Sequence, residues 1–193
     1  MEIETESNTV TTELKDLCVW KRCTRGILRG RRYSVDEKNP RIATKTEFEN
    51  RFCTLIGSTP LPLNKVISWN IKLLKSWGNN GGYIFIGVAP SDIDQNESNR
   101  DKCGWYFDCY RSALISGPPH NYRDKEYGQR KDRGEYVHTG DSVGVVMDTA
   151  KGELSFVLNG VNLGVAFEGI PLDKPLVPCV LLHFPDDSVE FVF

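Results

Sequence analysis

The 193-residue sequence predicts an all-β fold of antiparallel strands, and three stretches carry that prediction. In Gly140–Phe167, apolar runs are cut by Asp148-Thr149-Ala150-Lys151-Gly152 and by Asn159-Gly160, a dipeptide that tolerates positive φ in a two-residue hairpin, so three strands form a meander. Val66–Lys75 alternates Ile67, Trp69, Ile71 and Leu73 with Ser68, Asn70, Lys72 and Leu74, the period of a strand with one buried face. Tyr83–Ala89 is apolar at nearly every position, as a strand covered on both sides requires.

Taken in order, the elements begin with an extension, Met1 to about Arg32, that lacks strand alternation. Within it Glu13–Trp20 has the spacing of a short helix with Leu14 and Leu17 on one side, marginal at this length. From Tyr33 onward the pattern is strands. Arg41–Lys45 and Arg51–Gly57 are short ones, and Pro60-Leu61-Pro62-Leu63 marks an extended connection to Val66–Lys75. Asn79-Asn80-Gly81-Gly82 is expected to close a hairpin into Tyr83–Ala89, which Pro90 ends. Ser91–Lys102 is a polar surface loop, and Ser116–Gly128, rich in Tyr, Pro, Gly and charge, is a second one. Beyond the meander, Asp186-Asp187 reads as a hairpin turn between Val180–Phe184 and Ser188–Phe191.

Several of these segments resemble one family in the right order. Gly140-Asp141-Ser142-Val143-Gly144, Asp148, Gly152-Glu153-Leu154-Ser155-Phe156, Asn159-Gly160 and Leu163-Gly164-Val165-Ala166-Phe167 are similar, residue for residue, to the signature of the SPRY domain. Ile86-Gly87-Val88-Ala89, Gly104-Trp105 and Leu176-Val177-Pro178 match further family positions, and Asn70 departs from the Glu usual there. The resemblance covers roughly Tyr33 to Phe193. It implies a bent, two-sheet antiparallel β-sandwich of the concanavalin or lectin-like jelly-roll type, residues 33–193, which displays binding loops for other proteins and performs no catalysis. Residues 1–32 would be an extension or linker.

Composition agrees with one domain of this kind. A hydrophobic fraction of 39% with 10% aromatics can fill a single core. No run of eighteen apolar residues occurs, and the start is acidic and polar, so a soluble cytoplasmic protein is expected. The six cysteines lack Cys-x-x-Cys spacing and the histidines are scattered, which points to reduced structural thiols, with no metal or other cofactor. Cys53 and Cys179 sit in apolar runs as small buried hydrophobes, whereas Cys18 and Cys23 are the pair to watch.

Charge is segregated. Lys21–Arg32 holds six basic residues and no acidic one, leaving 18 basic against 26 acidic elsewhere. Arg22, Arg25, Arg29, Arg31 and Arg32 could contact phosphate, but no aromatic is interleaved for base stacking. A solvated linker, or an arm on the acidic domain, accounts for the window as well; nucleic acid is not the expected partner.

The expected partner is a protein or a short linear peptide, and the chain could be one part of a larger protein or complex. By resemblance, Leu114-Ile115-Ser116 and His183-Phe184-Pro185 match the peptide-binding surface of the SOCS-box SPRY proteins. Those members carry Tyr near Ile115 and Val-Trp-Gly near His183-Phe184-Pro185, so their peptide is not expected to be this chain's ligand. Phe184 and Ile115 would form an apolar floor, with His120, Tyr122 and the Ser91–Lys102 loop setting orientation. Tyr127 is expected to pack inward. Many relatives recognise substrates for ubiquitin ligases, although no RING or B-box cysteine pattern is present.

Two other functions fit parts of the sequence: a glycan-binding lectin-like module, and RNA association through the basic arm. Enzyme chemistry finds little support. Ser116, His120 and Asp124 have triad residue types but no Gly-x-Ser-x-Gly elbow, and Asp92-x-Asp94-x-Asn96 opens like a calcium loop without the Gly that should follow.

Overall fold

The computed structural model describes residues 18–22, 32–79, 82–95, 103–128 and 137–192. Thirteen strands are present among them: β1 Tyr33–Val35, β2 Ile42–Lys45, β3 Cys53–Ile56, β4 Val66–Lys75, β5 Phe85–Pro90, β6 Trp105–Asp108, β7 Ala113–Ser116, β8 Lys125–Glu126, β9 Ser142–Asp148, β10 Glu153–Leu158, β11 Val161–Phe167, β12 Leu176–Leu182 and β13 Ser188–Val192. All pairings are antiparallel. One sheet runs β1-β2-β13-β4-β9-β10-β11 and the other β3-β12-β5-β6-β7-β8. The helical content of the described residues is a single 3₁₀ turn, Trp77–Asn79.

The two sheets bury apolar surface differently, and the sequence patterns explain why. In the seven-stranded sheet β4 presents Ile67, Trp69, Ile71 and Leu73 inward, where they meet Val143, Val145, Met147, Leu154, Phe156, Val189 and Phe191. Opposite them lie Leu55, Ile86, Val88, Phe107, Leu114, Val180 and Leu182 of the six-stranded sheet. The alternate residues of that second sheet form another cluster, Ile56, Phe85, Tyr106, Ile115, Val177, Cys179 and Leu181, so β5 is buried on both faces as its continuous apolar run predicts.

The segment before Tyr33 enters the fold. Trp20 is 1% exposed, stacks on Phe191 with centroids 4.0 Å apart, and donates its indole N–H to the Arg41 carbonyl at 2.7 Å. It also bridges to Gly57, and Lys21 N–H donates to the Ile56 carbonyl, so residues 18–22 lie along the β3 edge. The short helix expected over Glu13–Trp20 falls mostly outside the described residues, and its described end, Cys18–Trp20, is not helical.

Two connections differ from the sequence expectation in the same way. The turn after Lys75 does not close a hairpin, because β4 pairs with β9 and β13 whereas β5 pairs with β12 and β6. Nor does Asp186-Asp187: β12 belongs to the six-stranded sheet and β13 to the seven-stranded one. Both are crossovers from one sheet to the other. Turn chemistry specifies that the chain reverses; which strand it returns beside is decided by long-range burial.

Strand register places these crossovers at one end of the sandwich. Lys45, Lys75 and Ser188 adjoin there in one sheet, and Cys53, Leu182, Phe85, Asp108 and Ala113 in the other. The opposite end carries Pro90, Trp105, Ser116, Asp148, Phe167 and Leu176.

Candidate interaction site

At the Phe184 end, aromatic rings are layered from the core outward. Phe85 contacts Phe52 at 5.0 Å, Phe52 contacts His183 at 4.6 Å, and His183 meets Phe184 edge-on at 4.7 Å. Tyr83 lies 5.5 Å from His183, 6.0 Å from Phe184 and 5.2 Å from Tyr110, with the Arg111 guanidinium 5.7 Å from its ring centre. On the outside Trp77 stacks on Phe184 at 4.7 Å and 24°, yet 61% of it stays exposed. Such a surface is large, flat and apolar, with polar atoms at its rim.

Local sequence shapes this end. Gly78 takes φ 67, and a Cβ at Gly82 would come within 2.9 Å of the Trp77 carbonyl oxygen, so small residues on both sides let the turn fold tightly around Trp77. Tyr83, a bulky residue, also sits at φ 54, a conformation that persists only where surrounding packing over-determines it.

Beneath the rings is a buried polar layer. Asp187, 1% exposed, accepts the Trp77 N–H at 3.1 Å and the Phe184 N–H at 2.8 Å. Burial pushes its carboxyl up to about 6 against these hydrogen bonds and the Lys45 charge. Lys45 is itself buried and donates to the carbonyls of Glu47 and Glu49, each at 2.7 Å, while burial lowers its ammonium from the ordinary lysine value. Those carbonyls flank Phe48, which stands 92% exposed.

The remaining sequence-predicted residues lie elsewhere. Pro185 belongs to the Phe184 corner and is half-buried. Ile115 does not join Phe184 as a floor: it is 1% exposed, midway along β7 in the outer cluster of the six-stranded sheet. Ser116, 3% exposed, accepts the Tyr122 N–H at 3.1 Å. His120 and Tyr122 occupy the opposite end. The Trp105 indole N–H can only donate, so His120 Nδ1 accepts it at 3.1 Å, which leaves Nε2 protonated to donate to the Glu168 carbonyl at 2.6 Å. Tyr122 stacks on Phe167 at 5.5 Å with Lys125 Nζ 4.1 Å from its ring centre.

Other readings resolve just as concretely. Ser116, His120 and Asp124 do not meet as a triad, since Asp124 pairs with Arg111 at 2.8 Å. Asp92 binds Lys174 at 2.7 Å. Tyr127 packs inward, its hydroxyl donating to the Gly164 carbonyl at 2.5 Å. Cys18, Cys53, Cys109 and Cys179 are free, buried thiols, Cys103 is half-buried, and Cys23 lies outside the described residues. In the basic window, Arg25, Arg29 and Arg31 lie outside the described residues, and Arg22 is exposed. Arg32 is 8% exposed beside Glu47 at 3.8 Å, so packing withdraws it from a phosphate-binding role.

The family model described as SPRY domain matches residues 66–193. The chain belongs to the SPRY domain family. Among solved structures it is similar to the SPRY domain of human HERC1, at 21% identity over 82% of this chain and 91% of that one, with a TM-score of 0.61. A second human SPRY domain is 15% identical over 83% of this chain and 94% of its own length, with a TM-score of 0.65. No curated protein matches. At these identities the likeness establishes the two-sheet sandwich, and the family is generally one of protein-interaction modules without catalytic activity. No helix among the described residues is long and apolar enough to cross a membrane.

Sequence reasoning missed Trp77, Tyr83 and Tyr110, and read Asp187 only as a turn residue. One signal was present: Ser76-Trp77-Gly78-Asn79 sets a large aromatic in a polar, Gly-containing turn that lies outside the strand alternation.

Proposed function

We propose that this SPRY domain is a non-catalytic module that holds a partner protein, through a short extended segment, against the Phe184 end of the sandwich. The observation that carries this reading is the Trp77–Phe184 stack, a solvent-facing indole supported by a half-buried ring and backed by Tyr83, His183 and Phe52. Interface hot spots have this character: an aromatic already ordered before binding, on a rigid base, loses little entropy when a partner covers it. His120 and Tyr122, proposed from sequence as orienting groups, act in this reading as fasteners of their own loop.

The test is a peptide array probed with the whole chain, run beside Trp77→Ala and Phe184→Ala proteins whose folding is checked by thermal unfolding. Peptides captured by the native chain and lost by both folded variants support the site. Peptides retained by both variants would overturn it. A glycan array probed in parallel addresses the lectin alternative, since a sugar ring could stack on the same indole.

A further inference from the structure

The proposed site is assembled from two separate crossovers, and one buried carboxylate touches both. Asp187 Oδ1 accepts the Trp77 N–H of the β4–β5 crossover, and Oδ2 accepts the Phe184 N–H of the β12–β13 crossover. We propose that Asp187 is the positioning residue of the interaction site: its ionised carboxylate ties the Trp77 turn to the Phe184 corner, and the stacked pair is fully assembled only while that carboxylate keeps its charge. This rests on the reading of the Phe184 end as the partner site.

The chemistry is that of one acceptor group serving the Trp77 and Phe184 N–H donors, with the His183 N–H beside Phe184 also turned toward it. An ionised carboxylate offers both oxygens as strong acceptors, whereas protonation places a hydrogen on one of them and removes the charge that strengthens both bonds. Lys45 of β2 is the charge that acts on Asp187; Cys53 of β3, Glu47 and Arg32 act in turn on Lys45, and His183, Asp186 and the Lys75 paired with Asp186 make up the rest of the corner. Lys75 is engaged by Asp186 at 3.1 Å and Arg32 lies 3.8 Å from Glu47, which leaves Lys45 as the cation that acts on Asp187. Burial outweighs it, so the change of charge falls at about pH 6. Partner binding is therefore expected to weaken as the solution is acidified through that pH.

Acrylamide quenching of tryptophan fluorescence in the full chain tests this without a partner. Trp20, Trp69 and Trp105 are 1%, 4% and 4% exposed, so quenching reports Trp77 at 61%. Between pH 8 and pH 5 the quenching constant should rise with a midpoint at about 6, by up to about 1.6-fold, the step from 61% to full exposure. Asp187→Asn, with one acceptor oxygen in place of two, should show the higher value at every pH. A flat profile in the native chain or a titration that survives in Asp187→Asn would overturn the proposal, as would a red shift of the buried indoles at pH 5 marking general unfolding. Should Asp187→Asn fail to fold, the native Phe184 amide shift followed by NMR must titrate together with the Asp187 carboxyl carbon; different midpoints would refute the link. Partner capture that survives Trp77→Ala would sink the site reading while leaving the Asp187 titration standing.

Discussion

The two ends of the sandwich use the same kinds of side chain to opposite effect. At the His120 end an imidazole, a tyrosine and two further aromatics spend their contacts on each other: Trp105 donates to His120, His120 donates to Glu168, and Tyr122 lies on Phe167 beneath Lys125. Rings at the Phe184 end also stack, but the sequence of layers finishes on an indole with most of its surface in water. Residue type alone therefore does not mark an interaction surface. What distinguishes the ends is whether the last aromatic in the stack is covered.

A pH series on Asp187 gives the largest expected effect on this contrast. Its carboxyl is raised from 3.8 to about 6 in the fold, so between those values the folded chain holds a proton that the unfolded chain has lost. Stability contributed by this group is therefore fully present below about pH 4, is lost as pH rises to about 6, and levels off above, over a span of about 3 kcal/mol. Relative to Asp187→Asn, the native chain should lose stability by about 1.4 kcal/mol per pH unit across that window in urea unfolding; a difference constant with pH would contradict the buried carboxylate. The same proton that loosens the proposed site thus steadies the fold, a cost of the kind functional sites carry elsewhere.

Unfastening the other end comes next. His120→Ala strands the nearly buried Trp105 indole N–H, and a loss of about 2 kcal/mol in unfolding free energy is expected, with peptide capture at the Phe184 end unchanged. Capture lost in a folded His120→Ala protein would erase the distinction between the ends. Trp77→Ala should do the reverse, weakening capture about tenfold, roughly 1.4 kcal/mol, while unfolding shifts by less than about 0.5 kcal/mol. Smallest of all, Lys75→Ala breaks an exposed pair with Asp186 at the rim and should change stability by about 0.3 kcal/mol, a value that grows only if the pair braces the corner.

Much of the fold is legible in the chain because it rests on local pattern. The alternation of Val66–Lys75 and the Asn159-Gly160 turn lead directly to β4 and to the β10–β11 hairpin, and the unbroken apolar run of Tyr83–Ala89 anticipates a strand buried on both faces. The site was half legible: Phe184 stood out through resemblance, whereas its partner Trp77 lies more than a hundred residues earlier, in a turn whose sequence suits a hairpin equally well. Ile115 and Arg32 show the converse. An isoleucine at a family contact position and an arginine in a basic window both read as surface, and both are buried by elements distant in sequence.

By itself, then, the sequence determined strand identity, turn positions, family and the reduced state expected of its thiols, since each depends on neighbours a few residues apart or on a motif read in order. Only the tertiary structure decided which turns cross between sheets and which aromatics end in solvent. It also decided that one buried aspartate joins two loops. Those outcomes depend on burial and hydrogen bonding between residues more than a hundred positions apart, and no local pattern carries them.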